Sequence, residues 1–204
     1  MKLLLILIIL FFYNLAFGQK VKNCLVAYID STSGQELIGY KDQLGKIVIK
    51  AKYSNTSTDT MCSMAIVLFN WEWIGIDKNE KVILKPFIYD NGPDYIEEGL
   101  FRYVENNKIG FANIDGQKII KAKYDFADPF ENGLAEYTLG GHKEYEKVGG
   151  HWWWTGGYDS GFINHKGQEF TKATALKNNK REAWTKSNRH YILNKQGDII
   201  KELK

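Results

Sequence analysis

The chain has 204 residues, 44% hydrophobic, 14% aromatic and 25% charged, with a formal net charge of +3. That composition belongs to a folded protein and excludes a disordered tail or a collagen-like polymer. So slight a positive excess also argues against nucleic acid as a partner.

Lys2 is followed by an apolar run from Leu3 to Tyr13, shorter than the roughly 20 apolar residues that a spanning helix takes. Asn14 interrupts the run, and Ala16 and Gly18 offer the small side chains that a signal peptidase accepts. Residues 1–18 therefore read as a signal peptide cleaved after Gly18. The chain is expected to be exported, to the periplasm, the cell surface or the medium. No Cys follows the cleavage point, and the longest later apolar run is Met64 to Phe69, so neither a lipid anchor nor a membrane span is expected after cleavage.

Residues 19–38 read as an N-terminal cap segment. Cys24 and Cys62 are the only cysteines. In an oxidising compartment they either pair, closing a long loop, or stay as two buried thiols. Neither lies in a Cys-x-x-Cys motif, which argues against redox catalysis and zinc binding.

From residue 39 the chain repeats itself. Gly45 to Tyr53 reads GKIVIKAKY and Gly116 to Tyr124 reads GQKIIKAKY, with six of nine positions identical. Taking the glycine as anchor, the equivalent positions are Gly45, Glu80, Gly116, Gly167 and Gly197. Three residues before each stands Asp42, Asp77, Asn113, Asn164 or Asn194. An Asx side chain accepts a backbone N–H two residues on, and Gly takes positive φ freely, so each Asx-x-x-Gly predicts a hairpin turn. Glu80 is expected to strain or reshape its turn.

After the turns, apolar residues recur at every second position, as in Ile47, Ile49, Ala51 and Tyr53, with Lys50 and Lys52 between them. This is strand periodicity, one face for a core and one for water. Val82, Leu84 and Pro86 continue the scheme in the second unit, where Pro86 lacks an N–H and marks a strand end or edge. Before the turns stand Gly39-Tyr40, Gly75, Gly110-Phe111, Gly161-Phe162 and Tyr191, read as first hairpin strands. Phe130-Glu131-Asn132-Gly133-Leu134-Ala135, with a looser copy at Ile96 to Phe101, predicts a third strand closing the unit.

The anchors lie about 35 residues apart except between Gly116 and Gly167, where about fifteen more residues form an inserted loop over about 138–160. Insertions in repeat folds project as loops.

An aromatic-Gly pair, an Asx-x-x-Gly turn, an IVIKAKY-like strand and an F-x-x-G-L-A closer together resemble the WG-containing repeat family, over roughly Gly39 to Leu203. The resemblance implies an all-β assembly of a kind found in bacterial proteins, many of them exported, and it implies no catalytic residue set. Residues 39–204 are accordingly expected to form one all-β domain of about five three-strand repeats in an open or irregular array. The alternative is a propeller- or barrel-like closure, against which units near 35 residues are short.

Candidate chemistry is sparse. Trp152, Trp153 and Trp154 in the inserted loop are candidate ligand-binding residues, a stacking platform for sugar rings or an anchor for a protein partner. Local packing is the favoured reading, and three consecutive residues of a strand cannot all face one side, so at least one is expected to reach solvent. Lys50, Lys85, Lys121 and Lys172 share one repeat position and read as a solvated face that discourages edge aggregation. His142, Glu144, Glu146, His151 and His165 lack the tight spacing that preorganises a metal site, so no metal and no cofactor is expected. No nucleophile motif stands in the chain, and Asp159-Ser160-Gly161 is no Gly-x-Ser-x-Gly elbow. The reading is an exported, noncatalytic interaction or scaffold module for an unknown protein or glycan, with a hydrolase least favoured.

Overall fold

The computed structural model describes residues 23–203, so the expected signal peptide lies outside the described residues. Every regular element among them is a strand or an isolated bridge. The strands form several antiparallel sheets, none closed into a barrel, in an open repeat-like arrangement.

The repeating sheet unit is a three-stranded meander, present five times. The first comprises Leu25–Asp30, Leu37–Lys41 and Ile47–Tyr53, and the second Met64–Phe69, Glu72–Asp77 and Val82–Pro86. The third comprises Leu100–Glu105, Lys108–Asn113 and Lys118–Tyr124. Leu134–Leu139, Asp159–Asn164 and Glu169–Phe170 make the fourth, and Lys180–Trp184, His190–Asn194 and Ile199–Leu203 the fifth.

The phase of these sheets differs from the phase of the sequence repeat. The closer motif does not end a sheet; its Leu100 and Leu134 begin the first strand of the next meander. Each sequence repeat thus gives two strands to one sheet and one to its neighbour. Of the stretch 19–38, residues Leu25–Asp30 supply the first strand of the first meander and Leu37 opens its second.

Neighbouring meanders are also tied by the chain that leaves each third strand. Asn55 and Thr56 pair with Leu68 and Val67 of the second meander, Phe126 and Ala127 with Thr138 and Tyr137 of the fourth, and Lys172 and Ala173 with Trp184 and Ala183 of the fifth. In the second unit the strand runs on unbroken, and Lys85 and Pro86 pair with Val104 and Tyr103. Pro86 is the last residue of its strand, where a missing N–H costs least.

All five Asx turns share one geometry. Asp42 Oδ1 accepts N–H bonds from Leu44 and Lys46, both at 2.9 Å; Asp77, Asn113 and Asn164 accept the corresponding pair in their turns, and Asn194 accepts the second of the pair, from Asp198 N. Gly45, Gly116 and Gly167 stand at φ 84°, 80° and 76°, and Glu80 at 63°. Glu80 therefore strains its turn without reshaping it. Its carboxylate reaches back to Lys52 Nζ at 2.6 Å and accepts from the Tyr53 hydroxyl at 3.2 Å.

The core is divided by interface rather than continuous. Leu25, Tyr40, Ile49, Tyr53, Ala65 and Val67 pack between meanders one and two, and Met64, Ile66, Leu84, Phe101, Tyr103 and Ala112 between two and three. Phe111, Ile120, Tyr124, Ala135, Tyr137 and Ile163 fill the third interface, and Leu134, Phe170, Ala183, Tyr191 and Leu193 the fourth. The first strands of the second and third meanders are buried on both faces, since odd and even positions serve different neighbours; this is why Met64 to Val67 and Leu100 to Tyr103 show no alternation. Each unit buries its apolar surface only against the next, the energetic logic of a stacked repeat.

The glycine before the turn has a steric cause. In the first and third meanders the third strand bulges opposite it, between the pairs Ile38–Tyr53 and Tyr40–Ile49, and between Ile109–Tyr124 and Phe111–Ile120. A Cβ on Gly110 would stand 2.5 Å from Ile120 O and 2.6 Å from Ala122 N, and on Gly39 the same distances from Ile49 O and Ala51 N. Across the sheet, Tyr28 and Tyr103 pair with these glycines, and their hydroxyls accept the freed N–H of Ala51 and Ala122 at 3.1 Å. Where the glycine is absent the partner is small: Ala183 faces Tyr191 in the fifth meander.

Candidate functional site: a cavity at the second and third meanders

The repeats give a rigid frame, and the segments that depart from the repeat converge on one place. Between Pro86 and Leu100 the chain makes an excursion closed by a bridge between Ile88 and Pro93 and by Asp94 N donating to Phe87 O at 3.0 Å. This fold-back aims the Asp94 carboxylate at Arg102 on the first strand of the third meander. Arg102 Nε donates to Asp94 Oδ2 at 2.6 Å, Nη2 to Asp94 Oδ1 at 2.7 Å, and Nη1 to Ala127 O at 2.8 Å. Both side chains are more than nine-tenths buried. A buried guanidinium needs this full set of acceptors, because desolvation otherwise exceeds the Coulombic gain. Its flat faces lie among Phe87, 4.4 Å from the ring centre, Tyr89 and Phe126.

The inserted segment braces this cluster from outside. It folds as a hairpin of His142–Tyr145 and Trp152–Thr155, placed between the first and second strands of the fourth meander. In the second and third meanders the same connection is a tight turn through Asn70-Trp71 or Asn106-Asn107. Trp152 packs edge-on against Phe87 and Phe126 and against Tyr89, and its Nε1 donates to Tyr89 O at 3.0 Å. Trp154 stacks on Phe126 with ring centres 5.6 Å apart, and its Nε1 donates to Gly140 O. Trp153, on the opposite face, is 44% exposed. The three tryptophans thus form no common platform.

Beside the Arg102 cluster opens a cavity of about 1090 Å³. Its apolar wall includes Met64, Ile66 and Phe101, with Tyr95, Ile96 and Ile114 exposed at the rim. Its polar wall carries Asp90, Asp94, Asp115 and Asp128 against a single cation, Arg102, which Asp94 neutralises. Ser63 Oγ donates to Asp115 Oδ1 at 2.7 Å, tying the third meander's Asx turn to the entry of the second. Asp128 is exposed as a residue yet closely walled by protein; that burial of its carboxyl raises its pKa above the usual carboxylate value, and Arg102 acts in the opposite sense.

Cys62 also lines this cavity and is disulfide-bonded to Cys24, with Cα atoms 4.1 Å apart. Leu25 and Val26 pair with Met61 and Thr60, so the bridge fastens the first strand to the cavity wall. Sequence reasoning missed Arg102, Asp94 and the cavity altogether. The one signal was a charged residue inside the apolar closer strand Leu100–Glu105.

The remaining candidates disperse. Lys85 meets Glu72, Lys172 Nζ lies 5.0 Å above the Trp184 ring, and Lys50 and Lys121 are exposed. His165 stacks on Phe130 and faces Glu98, while His142 and Glu144 lie on the hairpin. Among the described residues no group of three or more His, Cys, Asp or Glu side chains is placed to hold a metal.

Stacked meanders exchanging strands define the class, a tandem β-repeat protein. The family model described as WG containing repeat matches residues 38–70, 76–108 and 109–141, the first three of the five sequence repeats in tandem, and the chain belongs to that family. No curated protein matches the chain. Among solved structures it is similar to Kluyveromyces lactis Hsv2, at 13% identity and a TM-score of 0.26, over 90% of this chain and 61% of that one. The chain thus spans less than two thirds of that protein's length.

Proposed function

We propose that this repeat protein is an exported, noncatalytic interaction module whose binding site is the cavity at the second and third meanders. One observation carries the reading: the parts of the chain that break the repeat, the Tyr89 to Ile96 excursion and the inserted hairpin, meet at that cavity or brace it. Binding residues concentrate in irregular segments held by a regular scaffold. The polar walls support recognition over catalysis, since the Asp94 carboxylate is held by Arg102 and the Cys62 sulfur by Cys24.

The test is quantitative capture from the source organism's envelope and medium with the full chain as bait, against a variant lacking residues 140–157 and against Gly92→Trp. Gly92 lines the cavity and a Cβ there meets nothing within 4 Å, so a bulky side chain can be introduced at this wall position without a clash at its first atom. Proteins lost from both variants support the reading; an unchanged set defeats it. N-terminal sequencing of the native protein tests export, for which the expected first residue is Gln19.

A glycan-binding role is the second reading, favoured by the exposed Trp153 ring. A glycan array comparing the chain with Trp153→Ala decides it, and unchanged binding removes it.

A further inference from the structure

The cavity's walls define a ligand by charge and polarity. Four aspartates line it with one cation, and that cation is consumed: both oxygens of Asp94 and the Ala127 carbonyl occupy the Arg102 guanidinium. Neither Lys nor His lines the walls. Asp90 and Asp128 receive no hydrogen bond and no ion pair on their carboxylates from the described residues, in contrast to Asp94. An anionic ligand would meet these charges in a concave, partly enclosed space where repulsion is less screened than at an open surface. The opposite wall is apolar, with Met64, Ile66 and Phe101 inside and Tyr95 and Ile96 at the rim. A volume of about 1090 Å³ lies just above the range for small-molecule pockets, roughly 300–1,000 Å³, and suits a short peptide segment.

Resting on the interaction-module reading, we infer that this cavity binds a segment of a partner protein in which lysine or arginine side chains stand beside apolar ones. The cationic heads meet Asp90 and Asp128, while the apolar side chains lie along Met64, Ile66 and Phe101. Apolar burial supplies affinity, and the carboxylates supply selection by charge.

The test uses the full chain with its disulfide intact and three fluorescein-labelled hexapeptides. One alternates leucine with lysine, one alternates leucine with glutamate, and one alternates serine with lysine. Fluorescence anisotropy is expected to show saturable binding of the leucine-lysine peptide alone. Binding should weaken roughly tenfold in the isosteric double variant Asp90→Asn, Asp128→Asn, the factor that about 1.4 kcal/mol commands, and should be abolished by Gly92→Trp. Equal binding of the glutamate peptide, equal binding of the serine peptide, or indifference of the leucine-lysine peptide to the double Asn variant would each overturn the inference. Should either variant melt differently from the wild type, the salt dependence of wild-type binding replaces it; affinity must fall between low and physiological ionic strength, and a flat profile counts against the proposal. If Gly92→Trp loses captured proteins while the leucine-lysine peptide never binds, the ligand class fails and the interaction module stands.

Discussion

Gly110 and Gly45 are both glycines of the repeat, but they are required for different reasons. At Gly110 the φ angle is ordinary and space is absent, because the bulged third strand presses its backbone into the position of a Cβ. Gly110→Ala should cost about 3 kcal/mol, as overpacking against backbone does. At Gly45 space is open and only the left-handed φ of 84° matters, so Gly45→Ala should cost about 1–2 kcal/mol. Urea unfolding of both variants checks the order; a reversal would show that the bulge yields more easily than the turn. Buried tyrosines set a second property at this scale. Burial holds the hydroxyls of Tyr40, Tyr53, Tyr103, Tyr124 and Tyr137 above their ordinary value of 10, that of Tyr137 up to about 12. Glu80 and Glu169 add to the effect at Tyr53 and Tyr124. Folded values lie above unfolded ones, so this stabilisation is complete below pH 10 and is lost as pH rises through 10 toward 12. Tyrosinate absorbance should therefore appear together with loss of near-ultraviolet circular dichroism. Tyrosinate forming near pH 10 with the signal intact would contradict the burial described.

At the scale of elements, the inserted hairpin shows how one strand serves two purposes. Its alternation turns Trp152 and Trp154 inward onto Phe87, Tyr89 and Phe126 and leaves Trp153 outside. Trp152→Ala should destabilise the protein by about 2 kcal/mol, less than a fully buried Trp because the side chain is half-buried. Trp153→Ala should change stability by no more than about 0.5 kcal/mol. Thermal melts of the two variants separate the roles, and equal losses would mean that Trp153 packs as well. Loss of Trp152 also removes a support of Tyr89, so weaker capture of partner proteins by Trp152→Ala is expected to accompany the loss of stability.

Across the whole molecule, strand exchange makes every meander incomplete without its neighbours, and the disulfide secures the end where exchange begins. Cys24 and Cys62 are 38 residues apart, a loop whose closure is worth about 2–4 kcal/mol. Replacing both by Ser should lower the unfolding free energy by that amount, read from urea denaturation; no change would mean that Leu25–Asp30 is held by pairing alone. Much of this architecture was legible in the chain. Four Asx-x-x-Gly spacings and the Asp77-x-x-Glu80 copy located the hairpins, the alternation from Ile47 to Tyr53 marked a strand, and the excess before Gly161 located the insertion. Each of these signals is local, a matter of turn chemistry or of a two-residue period. The phase of the sheets was not legible, because Leu134 can close one unit or open the next, and only the edge available in space decides. Arg102 was equally hidden: its acceptors, Asp94 and the Ala127 carbonyl, lie on segments outside its own strand. The sequence by itself determined a string of β-meander repeats with one insertion, since turns and strand periods depend on near neighbours in the chain. Only the tertiary structure decided which strands share a sheet, where a carboxylate-walled cavity opens and which tryptophan stays in solvent, since those follow from surfaces that meet only after distant segments pack.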